Sequence, residues 1–340
     1  MDSMLAAPTS VAEVSGADCQ AFPDEVLQAT QPKVLRGLVA DWPIVRAARE
    51  CGEHAANYLR RFYQGATVGA LLGAPEIGGR FFYNEDLTGF NFKPIRVKLD
   101  TVFDEIARHR NQPKPPAIYV GSTTVDTCLP GFRTENDIGM GDRQPLVSVW
   151  IGNQTRIAAH HDLPDNLACV VAGRRRFTLF PPEELQNLYV GPLDFTPAGQ
   201  AISLVDFAKP DYARYPKFAE ALQHAQAAEL GPGDAIFIPS MWWHHVEALD
   251  EFNTLVNYWW RRSPPCMDSP MNALMLTLMS VRDLPAEQRK AWENLFRHYV
   301  FAASAETAAH IPEQARRVLA PLDERAAREV RARLLEKLNR

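Results

Sequence analysis

Short apolar runs separated by glycine, proline and aspartate dominate the middle of this chain. Five of them have the length and composition of buried strands, namely 146–152, 166–173, 176–181, 234–240 and 253–260. Several short strands at close spacing, with turn residues between them, are typical of a sandwich or of a barrel such as a jelly roll. The pattern therefore predicts a mainly β core at about 146–262.

Helical spacing of apolar residues precedes and follows this core. Upstream, 44–62 and 99–110 have the spacing of helices, whereas 32–43 and 80–94 contain short strand-like runs beside turn residues. Downstream of Pro264 and Pro265, the predicted helices are 271–281, 285–301, 312–319 and 323–339. We therefore predict a flexible N-terminus at 1–16, a domain with N-terminal α/β elements at 17–262, and a C-terminal helical region at 263–340.

The last predicted helix carries an apolar stripe. Ala326, Val330, Leu334 and Leu338 recur every four residues among charged neighbours. In most proteins such a stripe docks on its own domain. Self-association of two chains is the alternative.

Composition and charge limit the classes of protein to which this chain can belong. The chain has 340 residues, 46% of them hydrophobic and 23% charged, as in soluble globular proteins. Its net charge of −5 does not indicate the basic surface that binds nucleic acid or an anionic membrane. The N-terminus lacks the pattern of a secretory signal, and five widely spaced cysteines suggest no disulfide framework. We expect a cytoplasmic protein that binds neither nucleic acid nor a membrane.

The stretch AAHHDLPDN, residues 158–166, combines two histidines with two aspartates. Side chains alternate along a strand, so His160 and Asp162 share one face and His161 points to the other. An imidazole and a carboxylate on one face can begin the two-histidine, one-carboxylate site of non-haem Fe(II) oxygenases. The alternative is that His160 and Asp162 only form a hydrogen bond with each other at the strand end.

A further ligand can come from IPSMWWHHV, residues 238–246, where two histidines follow a predicted strand. An imidazole among so many apolar side chains needs a polar partner, and a metal ion is one such partner. A backbone carbonyl is another. Strand alternation alone does not choose between His244 and His245.

Eight motifs in one order make the chain resemble the cupin-type JmjC family of Fe(II)- and 2-oxoglutarate-dependent oxygenases. They are RGLVADWP, FNFKP, AIYVG, AHHDLPDN, AGRRRFTLFPP, VDFAKPDYARYPKF, LGPGDAIFIPSMWWHHV and LVNYWW, and they cover about residues 30–262. The similarity is greatest to the branch that contains the asparaginyl hydroxylase which inhibits hypoxia-inducible factor. The resemblance implies that the barrel core is a double-stranded β-helix, the cupin type of jelly roll.

By the same resemblance, His160, Asp162 and His244 are the catalytic residues and the ligands of Fe(II), with 2-oxoglutarate and O2 as co-substrates. Arg175 stands where the family has a lysine that binds the distal carboxylate of 2-oxoglutarate. Arginine can bind a carboxylate through two hydrogen bonds. Four further residues match positions that line the co-substrate pocket: Tyr119, Asn166, Asn257 and Trp259.

Two places depart from that branch. Ile157 stands where the hydroxylase has a threonine that donates to the co-substrate, and Ala201 and Ile202 replace polar residues that contact its substrate. The resemblance therefore implies a different substrate. Further expected roles are apolar walls for Phe237, Trp242 and Trp243, and support of the ligands or of the fold for His161 and His245.

The first hypothesis is an Fe(II)- and 2-oxoglutarate-dependent dioxygenase that hydroxylates a protein or peptide side chain and releases succinate and CO2. A small-molecule substrate is an alternative within the same chemistry. The second hypothesis, from another class, is a metal-binding cupin-like protein without turnover that acts as a sensor or scaffold. The resemblance also implies that a homodimer can form through the C-terminal helices.

Overall fold

The computed structural model describes residues 7–15, 22–197 and 199–339, which divide into two compact units. The boundary lies between Trp260 and Arg261, and every strand described belongs to the first unit. Of the N-terminus predicted to be flexible, residues 1–6 and 16 lie outside the described residues. Its described part contains two short strands.

Fifteen strands of the described residues form two sheets. The six-stranded sheet has the order β1 (Thr9–Ser10), β12 (Gln226–Leu230), β11 (Arg175–Phe180), β14 (Trp243–Ala248), β9 (Arg156–His160) and β5 (Arg80–Phe81). The nine-stranded sheet has the order β2 (Glu13–Val14), β3 (Lys33–Leu35), β13 (Ala235–Ile238), β10 (Asp165–Ala172), β15 (Asn253–Trp260), β8 (Leu146–Gly152), β7 (Ala117–Thr124), β4 (Thr67–Gly73) and β6 (Phe92–Lys98).

Alternating burial explains how the central strands hold the sheets together. Leu167 and Cys169 of β10 face one core cluster, whereas Ala168 and Val170 face a second cluster that also contains Phe177 of β11. A strand packed on both faces reads as a continuous apolar run, as 166–173 does in the sequence. The predicted jelly roll is confirmed, with mainly β structure and additional α elements.

Helices cover the outer face of the nine-stranded sheet. The longer ones are α2 (Pro43–Glu50), α3 (Gly52–Arg60) and α4 (Leu99–His109), and the short ones are α1 (Asp24–Leu27) and α5 (Val125–Cys128). A further short helix, α6 (Phe218–Ala221), packs instead with Phe180 and Trp243 of the six-stranded sheet. Val45, Leu59 and Phe103 share a buried cluster with outward side chains of β10 and β15. The single helix predicted at 44–62 is wrong, because Cys51 is extended and separates α2 from α3.

A long segment, residues 181–225, joins β11 to β12. Its ends lie side by side because β11 and β12 pair antiparallel, with Arg175 opposite Leu230 and Leu179 opposite Gln226. The described part of the segment contains one 3₁₀ turn at Pro182–Gln186, a second at Leu222–His224 and the short α6. It also supplies most of an apolar cluster of its own.

The second unit is helical. It contains α7 (Pro270–Ser280), α8 (Ala286–Phe296) with a π-helical continuation at Arg297–Phe301, and α9 (Glu324–Leu338). The helix predicted at 312–319 is wrong, because short turns at Glu313–Ala315 and Arg317–Leu319 replace it. The φ of Arg317 is 50°, which an α-helix does not accommodate.

Apolar side chains of the second unit are widely exposed. No residue of α7 or α8 is buried, and Phe301 is 82% exposed. No helix in the described residues is long and apolar enough to cross a bilayer.

Candidate metal centre and its cavity

Two histidines face each other across neighbouring strands of the six-stranded sheet. β9 and β14 pair antiparallel, and His244 stands opposite His160 in this register. Their imidazole ring centroids lie 4.3 Å apart. Asp162 follows the end of β9, and its Oδ2 lies 3.6 Å from Nε2 of His244. The structure therefore brings one potential ligand atom from each of the three side chains within 4.8 Å of the others.

Backbone contacts determine which ring nitrogens remain available. Nδ1 of His160 lies 2.9 Å from the carbonyl oxygen of Ala158, and Nδ1 of His244 lies 3.0 Å from that of Trp242. A carbonyl oxygen only accepts, so each Nδ1 carries the hydrogen and donates it. In the neutral form of either ring, Nε2 then has a lone pair that can bind a metal.

Burial keeps His244 neutral. The residue is 4% exposed, and burial together with the neighbouring His160 lowers the pKa of His244 to about 4. At neutral pH its contact with Asp162 therefore joins a neutral ring to a carboxylate and is not an ion pair. Two imidazole nitrogens and one carboxylate oxygen are a donor set that suits a divalent first-row transition metal.

The two neighbouring histidines pack elsewhere. The ring of His161 meets that of Trp243 edge-on, and the ring of His245 packs against Phe207, each with centroids 4.7 Å apart. Burial, reinforced by nearby arginines, lowers the pKa of His245 to about 3. Of the two histidines of β14, His244 is thus the one that joins His160 and Asp162.

A cavity of about 540 Å³ contains this cluster in its wall, and its lining comes from both sheets. The lining includes every residue that the sequence analysis assigned to the metal or the co-substrate: His160, Asp162, His244, Tyr119, Asn166, Arg175, Asn257 and Trp259. Among the described lining residues, Asp162 is the only acid, and Arg175 is the only lysine or arginine. The rest of the lining is largely apolar or aromatic.

Arg175 is buried in the cavity wall without a charged partner. It is 3% exposed, its Nε has no acceptor, and no ion pair links it to another described residue. Burial lowers the pKa of Arg175 to about 10, so the guanidinium stays charged at neutral pH. A buried cation costs free energy unless an anion accompanies it, so this end of the cavity suits an anion.

Tyr119 adds a neutral donor in the same cavity. Burial raises the pKa of its phenol well above the ordinary value, and the charge of Arg175 opposes that rise. The hydroxyl therefore keeps its hydrogen at physiological pH. A hydroxyl donor with a guanidinium is a suitable pair for a carboxylate.

Three hydrogen-bonded side chains connect β8, β15 and β10 inside the cavity. Nε1 of Trp150 donates to Oδ1 of Asn257 at 2.7 Å, and Nδ2 of Asn257 donates to Oδ1 of Asn166 at 3.1 Å. This order sets the orientation of both amides and leaves Nδ2 of Asn166 as a donor for a ligand.

Trp150 is a cavity residue that the sequence reasoning missed. It lies in the apolar run 146–152 and reads there as a core residue. Its ring packs against those of Tyr119 and Trp259, with centroids 6.1 and 5.6 Å away. An indole in a strand is the one local signal, because its N–H needs an acceptor when buried.

Three residues expected to form apolar walls do not line the cavity. Phe237 stacks on Trp260, Trp242 donates from Nε1 to the carbonyl oxygen of Thr30, and Trp243 packs with Phe180. The prediction is wrong because β14 begins at Trp243, so alternation turns Trp243 away from the side that His244 faces.

Each of the two places where the sequence differs from the hydroxylase branch contributes a residue to the cavity wall. Ile157 and Ile202 belong to its lining, whereas Ala201 is buried beside it in the chain and is not among the lining residues described. Apolar side chains therefore occupy positions near the cluster where the related hydroxylase branch has polar ones.

Known proteins share this domain. A family model described as a cupin-like domain matches residues 19–266. The lysine-specific demethylase 8 of Xenopus tropicalis is 25% identical over 260 residues, which are 76% of this chain and 54% of that protein.

Two further relatives match shorter stretches at higher identity. The lysine-specific demethylase JMJ31 of Arabidopsis thaliana is 35% identical over 131 residues, covering 36% of this chain and 23% of that protein. The tRNA wybutosine-synthesizing protein 5 of Danio rerio is 36% identical over 105 residues, covering 31% of this chain and 29% of that protein. The chain thus spans about half the length of these relatives or less.

Proposed function

The chain belongs to the cupin-like domain family, and from this premise we propose that it is an Fe(II)- and 2-oxoglutarate-dependent oxygenase. We propose further that it hydroxylates a side chain of a protein or peptide and releases succinate and CO2. The observation that carries the proposal is the cluster of His160, Asp162 and His244 in a cavity wall. The family resemblance found in the sequence is confirmed, and the relatives named as demethylases support an oxidoreductase.

The three side chains suit Fe(II) by donor type. Non-haem Fe(II) oxygenases use two histidines and one carboxylate, which leaves coordination positions open. When bound, Fe(II) with 2-oxoglutarate and O2 supplies the oxidising power to attack an unreactive C–H bond. His160 and His244 would bind it through Nε2, because their Nδ1 atoms donate to backbone carbonyls. Those contacts orient both rings in advance.

The far part of the cavity suits the co-substrate. In the proposed complex, Arg175 binds the distal carboxylate of 2-oxoglutarate, which supplies the anion that the buried guanidinium lacks. Tyr119 donates its hydroxyl hydrogen to the same ligand. Asn166, held by Asn257, offers its Nδ2 hydrogens. Ile157 cannot donate, so this chain uses fewer donors than the related hydroxylase branch.

The apolar wall near the cluster favours an uncharged substrate group. Ile157, Ile202 and Val246 line the cavity, and Asp162 is its only acid among the described residues. A methylated lysine carries a positive charge that would find no carboxylate here, because Asp162 is engaged by the metal. We therefore favour hydroxylation of an uncharged aliphatic carbon over demethylation. The net charge of −5 argues against nucleic acid or a membrane as partner, and we propose a cytoplasmic location.

We also propose that two chains form a dimer through their C-terminal units. Of the twenty large hydrophobic side chains exposed in the described residues, fourteen lie at 261–340. Exposed apolar side chains are a common feature of protein–protein interfaces, and their concentration in this unit supports the proposal. A second copy can cover it, because a twofold interface uses the same apolar patch from both chains.

Titration of the anaerobic Fe(II) protein with 2-oxoglutarate tests the enzymatic proposal. We expect the weak visible absorption band of an iron-chelated keto acid and, once air is admitted, formation of succinate. His160→Ala should lose both signals. His54→Ala, which removes an exposed histidine of α3, should retain them. If the parent protein shows neither signal, a metal-binding protein without turnover becomes the better explanation.

A further inference from the structure

The inner face of the nine-stranded sheet continues beyond the cavity as an open surface. In the antiparallel pair β4 and β6, residues directly opposite each other point to the same face. Three such pairs form this surface, which we call the β4–β6 shelf: Leu71 with Pro94, Gly69 with Arg96, and Thr67 with Lys98. Gly69, Leu71 and Pro94 also line the cavity, so the shelf is continuous with it.

Packing identifies the shelf as the inner face of the sheet. Leu71 packs against the aromatic cluster that includes Tyr119, at the cavity. Ile95 and Val97, the alternate residues of β6, pack against the cluster that the helices cover. Lys93 has the same parity as Ile95 and lies opposite Leu72, so it points to the helix-covered side.

The shelf is open enough to take an extended chain. A Cβ placed on Gly69 meets no atom within 4 Å, and the φ of Gly69 is not positive. β6 is the terminal strand of its sheet in the described part of the chain, so no strand lies along its outer edge. Extended peptides commonly bind along such strands, with pockets that accept alternate side chains.

Two cations on the shelf have no counter-charge. Arg96 and Lys98 are exposed, and the side chain of neither forms an ion pair or a hydrogen bond with a described residue. Other arginines of the same unit, such as Arg36 and Arg60, each contact carboxylates. In a chain with a net charge of −5, two neighbouring cations on one face of β6 give the shelf a local positive charge beside the cavity.

We propose that the β4–β6 shelf binds an extended acidic segment of the polypeptide substrate, next to the residue that enters the cavity. The inference rests on the proposed function, since it takes the substrate to be a polypeptide. Side chains of alternate residues on one face of a strand are about 6.6 Å apart. Carboxylates at alternate positions of the segment therefore reach Arg96 and Lys98, while an uncharged side chain enters past Leu71.

Charged residues on an edge strand also prevent aggregation between sheet edges. For that role the three cations of β6 are equivalent, because each one places a charge on the edge strand. Substrate binding instead requires Arg96 and Lys98, on the shelf, and not Lys93, on the opposite face. Lys93 is therefore a matched control from the same strand.

A synthetic peptide library tests the proposal with the full-length protein. Each peptide has a leucine flanked at two alternate positions by Asp, Asn or Lys, and retention on immobilised protein is measured without O2. We expect the Asp peptides to be retained about tenfold more than the Asn peptides, as for two partly exposed charge pairs. The R96E/K98E double variant should prefer Lys peptides, whereas K93E should behave like the parent.

A steric variant gives an independent readout. Gly69→Val adds a side chain where the shelf is open, so it should fold normally and weaken retention of every peptide. Lack of an Asp preference in the parent, or an equal change in K93E and R96E/K98E, would overturn the proposal. Retention is read without turnover, so a missing 2-oxoglutarate band in the parent would count against the proposed function and not against the shelf.

Discussion

His160 of β9 and His244 of β14 stand directly opposite each other, and each donates its Nδ1 hydrogen to the carbonyl oxygen two residues before it. The two rings are thus oriented by the same local contact on neighbouring strands. Because the strand pairing fixes the relative position of the two backbones, Nε2 of each ring is already placed for a metal ion before the ion binds. Preorganisation of this kind reduces the free energy that binding must spend on ordering side chains.

Metal should stabilise the fold through this cluster. With Mn(II) at about 100 times its Kd, we expect the free energy of unfolding to rise by about 2.7 kcal/mol. His244→Ala should remove this increment, because only one imidazole and one carboxylate remain. Urea denaturation with Mn(II) and with a chelator measures the effect, with His54→Ala as the control. An undiminished increment in His244→Ala would place the metal elsewhere.

Arg175→Met should change stability and ligand affinity in opposite directions. Without 2-oxoglutarate, replacing a buried unpaired cation by an apolar side chain should raise the free energy of unfolding by about 1 to 4 kcal/mol. The affinity for 2-oxoglutarate should fall at least about tenfold. Chemical denaturation and 2-oxoglutarate titration measure the two effects. Arg176→Met, which removes an exposed partner of Glu229, is the control. A less stable Arg175→Met protein that binds 2-oxoglutarate normally would make Arg175 a structural residue.

Trp150→Phe should disturb the amide chain behind the co-substrate. The variant keeps an aromatic ring but removes the donor to Oδ1 of Asn257, which should cost about 1 to 3 kcal/mol of stability. A double-mutant cycle with Asn166→Ala should give a coupling energy of about 0.5 to 3 kcal/mol, because Asn257 links the two side chains. Trp292→Phe, at an exposed site of α8, should be additive with Asn166→Ala. Additivity of Trp150→Phe as well would show that no such chain operates.

Stability of the metal-free protein should fall as the pH is lowered below about 6.5, the usual pKa of histidine. Burial lowers the pKa of His244 to about 4 and that of His245 to about 3, so the unfolded chain binds protons in this range before the folded protein does. Each histidine then contributes a slope of up to about 1.4 kcal/mol per pH unit. Urea denaturation between about pH 7.5 and 5 measures the slope. His245→Phe should remove one histidine's share, and an unchanged slope would contradict the assignment.

The C-terminal unit should control the oligomeric state. We expect the full-length chain to sediment as a dimer and a Phe301→Asp/Leu335→Glu variant as a monomer, because both side chains are exposed apolar groups of that unit. Leu185→Glu alters a residue of the first unit that is 52% exposed, and it should leave the dimer intact. A parent protein that is monomeric at all concentrations would exclude the dimer.

The local sequence pattern was sufficient to predict some of the residues of this site. The alternation that predicted His160 and Asp162 on one side depends only on residues adjacent in the sequence, although β9 ends at His160 and Asp162 follows it. The choice of His244 over His245 depended on the family resemblance. Physically it follows from the pairing of β9 with β14, which joins distant parts of the chain. Trp150 was missed for the same reason, since its role depends on Asn257 of another strand.

Prediction of the fold had the same limit, because local pattern does not report contacts between distant parts of the chain. The apolar runs at 146–152, 166–173 and 253–260 predicted β8, β10 and β15 closely, because strands buried on both faces are strongly apolar. β4 and β12 were not predicted. The first contains two glycines, the second lacks β-branched residues, and each owes its extended form to the partners on both sides.

The segment at 181–225 begins and ends on paired strands, and Gln200 and Ile202 within it line the cavity. Because that pairing holds its two ends together, descendants of this gene can lengthen, shorten or exchange the insertion without displacing the two strands that carry the histidines. If the proposed function holds, this part of the cavity wall can therefore change during evolution while the paired strands that carry His160 and His244 are preserved.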